Sequence, residues 1–460
     1  MNEMTDLVEA QATTLARVTD FVLNLRPKEV PDTVRDRAAL LLLDTLGICI
    51  ASAPMQAGVL GRDAALRLYG TTDPAFGARM LFDGRTVSLA GAVYAAATQI
   101  DNLDGHDGFN PVKGHVGVVV VPALAVLAQS LPDLDGPEAL TTLVMGYEVS
   151  GRAGLALHGT VTDYHTSGAW NALGVAAMAA RLRGQSREIL REALGIAEYH
   201  GPRSQMMREI ANPTMLHDGS GWGALAGMSA AVLAESGFTG APAITVEGVE
   251  AARHWADLGQ EWQTAVHYIK PYPICRWAHA AIDAAREVAN THQVRHDQVA
   301  RIVIRSFANA VALYPGMPDT ASQAQYSLPF AVAAMLVHGR IGLEQISAEG
   351  LSDPAVAGLV ARTAMEATAE HEALFPKHRT ADVDLVLTDG RVLNSGMTHA
   401  RGGPERPFGG AEIARKYMDF AAPVIGEVRA TAIREACLGL SADHSRFADL
   451  GRLLVAPVSR

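Results

Sequence analysis

Cysteine is scarce. The three in 460 residues, Cys49, Cys275 and Cys437, stand at unrelated spacings, which gives neither a zinc pattern nor a disulfide framework and suits a reducing cytosol. Basic residues are outnumbered, 38 Lys and Arg against 49 Asp and Glu, for a formal net charge of −11. That balance argues against nucleic acid or an anionic membrane as the main partner, because both demand a basic face. A small anion could bind only in a local basic pocket. A long apolar run is also missing: the longest, Val116 to Leu131, is interrupted by Pro122 and falls short of the roughly 18 to 20 residues that span a bilayer. The start, MNEMTDLVEAQATTLARV, carries acids early and lacks the apolar or Arg-rich pattern of a targeting segment. A soluble, cytoplasmic protein is therefore expected. What is abundant is apolar content, 49%, enough at this length for a large core in about two or three domains.

From residue 31 to about 270 the chain is rich in Ala, Leu and Gly at helical spacing. PDTVRDRAALLLLDTLGICIAS opens with a Pro and Asp start signal and slows at Gly47, and stretches such as SLAGAVYAAATQIDNLD, PALAVLAQSL and GWGALAGMSAAVLAESG repeat the grammar. Small residues let helices approach closely, so this part reads as a compact helical domain. The texture then changes. QVARIVIRSF alternates like a strand, and ADVDLVLTDGRVLNSGMT reads as a hairpin turning at Asp389-Gly390. Helical segments are expected around Leu328 to Val337 and Pro354 to Ala369. Residues 271–398 form a smaller α+β unit in this reading, and GGAEIARKYMDFA returns to helix.

One stretch stands out chemically. IDNLDGHDGFNPVKGHVGVVVVP sets Asp101, Asp104, His106, Asp107, Lys113 and His115 in a Gly-rich loop between two segments that look destined for the core. Asp101 and Asp104, three apart at a helix end, should share a face. A glycine-rich loop of titratable groups beside buried segments is where catalytic residues tend to sit, whereas capping alone would need one or two such residues. DYHTSGAWNALG places His165 before a helix start whose free N–H groups favour an anion, and LHDGSGWGALAG does the same with His217. YIKPYPICRWAHAAIDAA holds Lys270, Arg276 and His279 around two prolines.

Taken in order, HTSGAWNALGVAAMAARL, LHDGSGWGALAG, KPYPICRWAHAAIDAA, AQYSLPFAVAAML and the D-x-x-D loop ending in GHVGVVVVPALAVLA resemble the MmgE/PrpD family. That family includes 2-methylcitrate dehydratase, cis-aconitate decarboxylase and iminodisuccinate epimerase. The resemblance implies a mainly α fold, a large helical domain from residues 1–270 and 399–460 with an α+β lid, 271–398, inserted, as a homodimer. It implies a small di- or tricarboxylate substrate and neither metal nor organic cofactor. It places the active-site Asp on Asp101, the loop histidine on His115, the helix-start histidine on His165, the lysine before the lid on Lys270, and the K-P-Y-P histidine on His279. Asp104, His106, Lys113, His217 and Arg276 are the expected substrate-binding residues.

The shared chemistry is removal of a proton from a carbon next to a carboxylate, which needs a positioned base and cations for the developing charge. Histidine suits the base, Lys and Arg the clamp, and Asp101 or Asp104 could orient a histidine. The chain departs from the family pattern twice. Where the decarboxylase and many dehydratases have D-D-T, it has Asp104-Gly105, and where many members have a lysine three residues before the LH histidine, it has Thr214. Lys113 could replace that charge. These departures tilt the expectation towards an epimerase of the iminodisuccinate type, which needs proton carriers on both faces of the carbon, over a dehydratase or decarboxylase. A metal cluster of Asp101, Asp104, His106 and Asp107, or a noncatalytic helical scaffold, are the readings from other classes.

Overall fold

The computed structural model describes residues 2–458. Single-turn helices aside, its first half contains α1 (Asn2–Asn24), α2 (Asp32–Ser52), α3 (Gln56–Leu68), the β1–β2 hairpin (Gly77–Arg79 and Thr86–Ser88), α4 (Leu89–Asp101), α5 (Gly117–Leu127), α6 (Gly136–Thr160), α7 (Gly168–Leu182), α8 (Arg187–His200), α9 (Met206–Ala211) and α10 (Ser220–Glu235). Several starts are chemically explicit. Ser88 accepts from the N–H of Gly91, Asp135 from Glu138 ahead of Pro137, and Ser186 from Ile189, each satisfying an otherwise orphaned donor. The second half holds α11 (His279–His292), β3 (Val299–Ser306), α12 (Leu328–His338), α13 (Pro354–Val360), β4 (Thr363–Ala367), β5 (Thr380–Leu387), β6 (Val392–Asn394) and β7 (Thr398–His399). The helices α14 (Gly410–Ile425), α15 (Glu427–Leu438) and α16 (Phe447–Val455) follow.

Packing follows the apolar pattern. Leu41, Leu42, Leu43 and Leu46 of α2 are all fully buried and the helix is buried on every side from Leu41 to Ser52, so this part lies inside the bundle; each such leucine contributes about 1.5–3 kcal/mol by leaving water. Residues 168–180 of α7 are buried without interruption, between α6 and α10, while α10 also packs on α4 and α8. α14 returns from the far end of the chain to pack on α2, and its Lys416 donates to Asp44 Oδ1 and to the Gly105 carbonyl, both at 2.6 Å. The C-terminal helix thereby pins the loop that follows α4. Burial pushes the Asp44 carboxyl up to about 6, against the pull of the Lys416 ammonium.

The sheet runs β4-β3-β5-β6, with β7 on the other end of β5; β3 is parallel to β4 and antiparallel to β5. Ile302 and Ile304 face inward, and Arg305 on the opposite face reaches Asp382 and Asp384 at 2.7 Å. The turn at Asp389-Gly390 is present, with Gly390 at φ 87°. α11 covers β5 and packs against α12.

Three local expectations are corrected. The segment Pro354 to Ala369 is helix only to Val360 and then strand β4, an edge whose TAMEA sequence is only partly buried and so shows no alternation. α2 does not slow at Gly47: the helix continues to Ser52, and a Cβ there would lie 3.0 Å from the Tyr417 ring, so the glycine admits α14. α5 begins at Gly117, with Pro122 inside it. Among the described residues no single helix is long and apolar enough to cross a membrane.

Candidate active site

α4 ends at Asp101, so Asp104 stands in the turn beyond it and not on the helix face. The loop then folds back: Gly108 exchanges both backbone hydrogen bonds with Tyr268, at 3.1 and 2.9 Å, and the Phe109 N–H donates to the Gly114 carbonyl at 2.8 Å. Its base is a buried polar knot in which Asp107 accepts from Tyr147 at 3.2 Å and Thr45 at 3.3 Å, and meets His267 Nδ1 at 3.2 Å. The carbonyl of Asp107 lies 2.7 Å from His115 Nδ1, while the His115 backbone N–H donates to Ser167 Oγ at 2.9 Å. A carbonyl can only accept, so the neutral ring carries its hydrogen on Nδ1 and leaves the Nε2 lone pair open. Nε2 stands 3.9 Å from Asp104 and 3.7 Å from Asp218, too far for hydrogen bonds and suited to a proton acceptor that is not yet engaged.

A narrow cavity opens at that nitrogen, and Asp104, Lys113, His115, Lys270 and Arg276 line it. Lys270, fully buried, donates to the side chain and the carbonyl of Asp104. Burial alone would raise the Asp104 carboxyl, but the Lys270 ammonium holds it below the usual range. Lys113 stands in the left-handed region at φ 53° with Nζ 4.1 Å over the Tyr164 ring. Arg276 lies 4.4 Å over the Tyr268 ring and donates to the carbonyls of Arg401 and Ala400. Arg379, whose guanidinium burial draws down to about 10, completes the cationic lining. The Nε atoms of Arg276 and Arg379 are buried with no partner. Four cations, Lys113, Lys270, Arg276 and Arg379, line this cavity in a chain of net charge −11, a local excess of positive charge that favours an anion.

Other expected site residues stand behind the wall. Asp101 accepts from the N–H of Ser220 at 3.0 Å and from its hydroxyl at 3.3 Å, and Asp218 accepts from the Ser167 N–H at 3.3 Å and hydroxyl at 2.5 Å. The helix starts expected to receive a substrate anion are thus already filled by the chain's own carboxylates, Asp218 on α7 and Asp101 on α10. His165 receives no cavity surface: its N–H donates to His158 Nε2 at 3.3 Å and its ring stacks on His158. His106 packs edge-on against His115 at 4.5 Å, and burial keeps it neutral. His279 meets the Ile274 carbonyl through Nε2 at 2.8 Å, bracing the K-P-Y-P turn. The carboxylates of Asp101, Asp104 and Asp107 go to different partners, so the cluster weighed as a metal site does not converge. Among the described residues, His378, His399 and Glu405 do converge, and there His378 and Glu405 already pair at 2.6 Å.

Sequence reasoning missed the phenols Tyr164, Tyr268 and Tyr326, and also Arg379 and Asp218. The tyrosines lie inside the motifs DYHTSG, YIKPYP and AQYSLPF, where the neighbouring cations and histidines drew the attention. Arg379, in PKHRTADV, reads as a solvated turn before a strand.

His217 sits at φ 42° with both ring nitrogens buried and unpartnered, edge-on to Tyr326. Burial draws its pKa down to about 4, against the attraction of Asp104. A depressed histidine stabilises the fold while neutral, and that contribution is lost as pH falls from the unfolded value near 6.5 through about 4. The wild-type protein is therefore expected to lose more stability than His217→Gln between pH 6.5 and 4, by thermal unfolding at a series of pH values; parallel curves would contradict this placement.

The comparison with known proteins bears on this geometry. The MmgE/PrpD N-terminal domain matches residues 16–263 and the MmgE/PrpD C-terminal domain residues 272–440. The chain belongs to the MmgE/PrpD family. Its relatives include a cis-aconitate decarboxylase-like protein of Aspergillus oryzae, 24% identical over 94% of this chain and 96% of the relative. The cis-aconitate decarboxylase of Aspergillus terreus is 23% identical over 97% and 96%, and the human one 24% identical over 73% of each chain. These relatives are lyases by name, and the mainly α architecture is the one that the family resemblance implies. A Cβ at Gly105 would lie 2.7 Å from Ile48 Cδ1, so a side chain there requires the end of Ile48 to turn aside. Thr214 is exposed, whereas Lys113 lines the cavity.

Proposed function

We propose that this MmgE/PrpD enzyme removes a proton from a carbon next to a carboxylate of a small di- or tricarboxylate, with His115 as the base. The observation that carries the reading is the Nε2 of a histidine fixed by the Asp107 carbonyl and open to a cavity lined by Lys113, Lys270, Arg276 and Arg379. The cations bind the carboxylates and hold the charge that spreads onto one of them as the proton leaves, an arrangement worth most in a site shielded from water. Asp104 keeps the Lys270 ammonium in place and receives part of the positive charge that grows on His115.

The outcome we favour is epimerisation of an iminodisuccinate-type substrate. Gly105 and Thr214 depart from the family pattern described above, and the Tyr268 and Tyr326 phenols line the cavity, where in this reading one of them returns the proton on the other face; the Tyr164 hydroxyl already donates to the Lys113 carbonyl. His165, expected as the second base, is set aside because its ring lies with His158. A second reading, decarboxylation of a cis-aconitate-type tricarboxylate, is favoured by the names of the relatives; it needs one proton donor for the carbanion left when carbon dioxide departs. Chiral analysis of each iminodisuccinate enantiomer and carbon dioxide release from cis-aconitate, run side by side, separate the two. Inversion without gas supports the first; gas release without inversion replaces it with the second.

A further inference from the structure

Glu209 has no part in the chemistry described so far. It sits on α9, where Met206, Glu209 and Ile210 form the buried face, the i, i+3, i+4 positions that one side of a helix presents together. Met206 and Ile210 line the cavity, as does Tyr326. Glu209 is only 6% exposed, and neither carboxyl oxygen has a hydrogen-bond partner. The groups that act on it are Asp218, Asp101 and Asp104, which repel a negative charge, and the Tyr326 phenol, which lies near enough to favour one without completing a bond. Burial, and then the negative charge of Asp218, raise the Glu209 pKa well above the usual carboxylate value. An acid left without partners in a ring of acids is an expensive feature, and such features collect where chemistry needs them.

We propose that Glu209 is the proton reservoir of this site, feeding the Tyr326 hydroxyl, which returns a proton to the carbon that His115 has deprotonated. The inference rests on the reading of the cavity given above. The carbanion pair forms a C–H bond as the Tyr326 O–H breaks. The Glu209 O–H then breaks to restore the phenol; when the cavity opens, the proton held on His115 Nε2 passes to solvent and a solvent proton returns to the Glu209 carboxylate, so that none is gained or lost over the cycle. Tyr326 touches the substrate in this scheme; Glu209 acts through it and is a positioning residue. His217, edge-on to Tyr326 at 5.5 Å, fixes the plane of the phenol ring.

The test uses the full chain in two measurements. Infrared difference spectra of wild type against Glu209→Gln, without substrate at pH 7, should show the C=O band of a protonated carboxylic acid that the variant lacks. With iminodisuccinate and cis-aconitate as probes in deuterated water, the same variant should lower product formation about 10²-fold while deuterium uptake into substrate by His115 continues. Tyr326→Phe should reproduce that split, and the double variant should be no slower than Tyr326→Phe alone. The wild-type rate should fall at alkaline pH as Glu209 loses its proton, and Glu209→Gln should lack that limb. Missing band, or wild-type turnover and pH profile in Glu209→Gln, overturns the inference. Absence of deuterium uptake by the wild type overturns the reading beneath it; a band lost in Glu209→Gln then assigns the protonated acid to packing alone.

Discussion

His115→Gln is expected to cut turnover by about 10²- to 10⁴-fold, the range for a positioned acid–base group, with little change in substrate affinity. The side chain is held by a backbone carbonyl and by Ser167 on its own N–H, so its removal leaves the loop standing. Of the cations proposed to bind carboxylates, Lys270, Arg276 and Arg379 belong to other segments and only Lys113 shares the loop, and a base that acts only as the proton moves lowers kcat and kcat/KM together. Asp101→Asn gives the contrast. Asp101 caps α10 through Ser220, so its replacement should reach stability before turnover. Steady-state kinetics of the two variants check this; a larger kinetic loss in Asp101→Asn would move the base to the other end of the loop.

Lys270→Met is expected to abolish activity and to cost about 3–5 kcal/mol of stability, the penalty for leaving one member of a buried ion pair alone. Asp104 is 4% exposed and Lys270 is fully buried, so the stranded carboxylate has no water to turn to. The sign with pH follows. Without the ammonium, burial raises the Asp104 pKa above its unfolded value near 3.8, and the deficit relative to wild type should grow as pH rises through that range. The double variant Lys270→Met with Asp104→Asn should regain much of the stability and none of the turnover, by urea unfolding and by assay. A double variant no more stable than Lys270→Met would show that the lysine acts by something other than this pair.

The helical half was legible because its signal is periodic and local: Ser88, Asp135 and Ser186 stand where starts should be, and the alternation of VARIVIRS became β3. β4 was not legible, since an edge strand half in solvent needs no alternating apolar residues and TAMEA is as good a helix sequence. At the candidate site, composition drew attention to a loop that does line a cationic cavity, but could not rank its members. Asp101 and Asp104 are the same residue type three positions apart, and only the fold decides that one meets Ser220 and the other Lys270. The same holds for the histidines: His115 and His106 are near neighbours in sequence, yet a single carbonyl at Asp107 leaves one open to the cavity while burial silences the other. The helix starts read as sites for a substrate anion hold the chain's own carboxylates instead. Their occupants, Asp218 and Asp101, come from elsewhere in the chain, and no local pattern names them.

In the proposed reaction His115 takes a proton from carbon. The most direct measurement is proton NMR of iminodisuccinate and cis-aconitate incubated with the enzyme in deuterated water, which reports exchange at the carbon whatever reaction follows. The account predicts loss of the signal from the hydrogen next to a carboxylate in at least one of these acids with wild-type enzyme, and its persistence with His115→Gln. Exchange that continues unchanged in His115→Gln would contradict it.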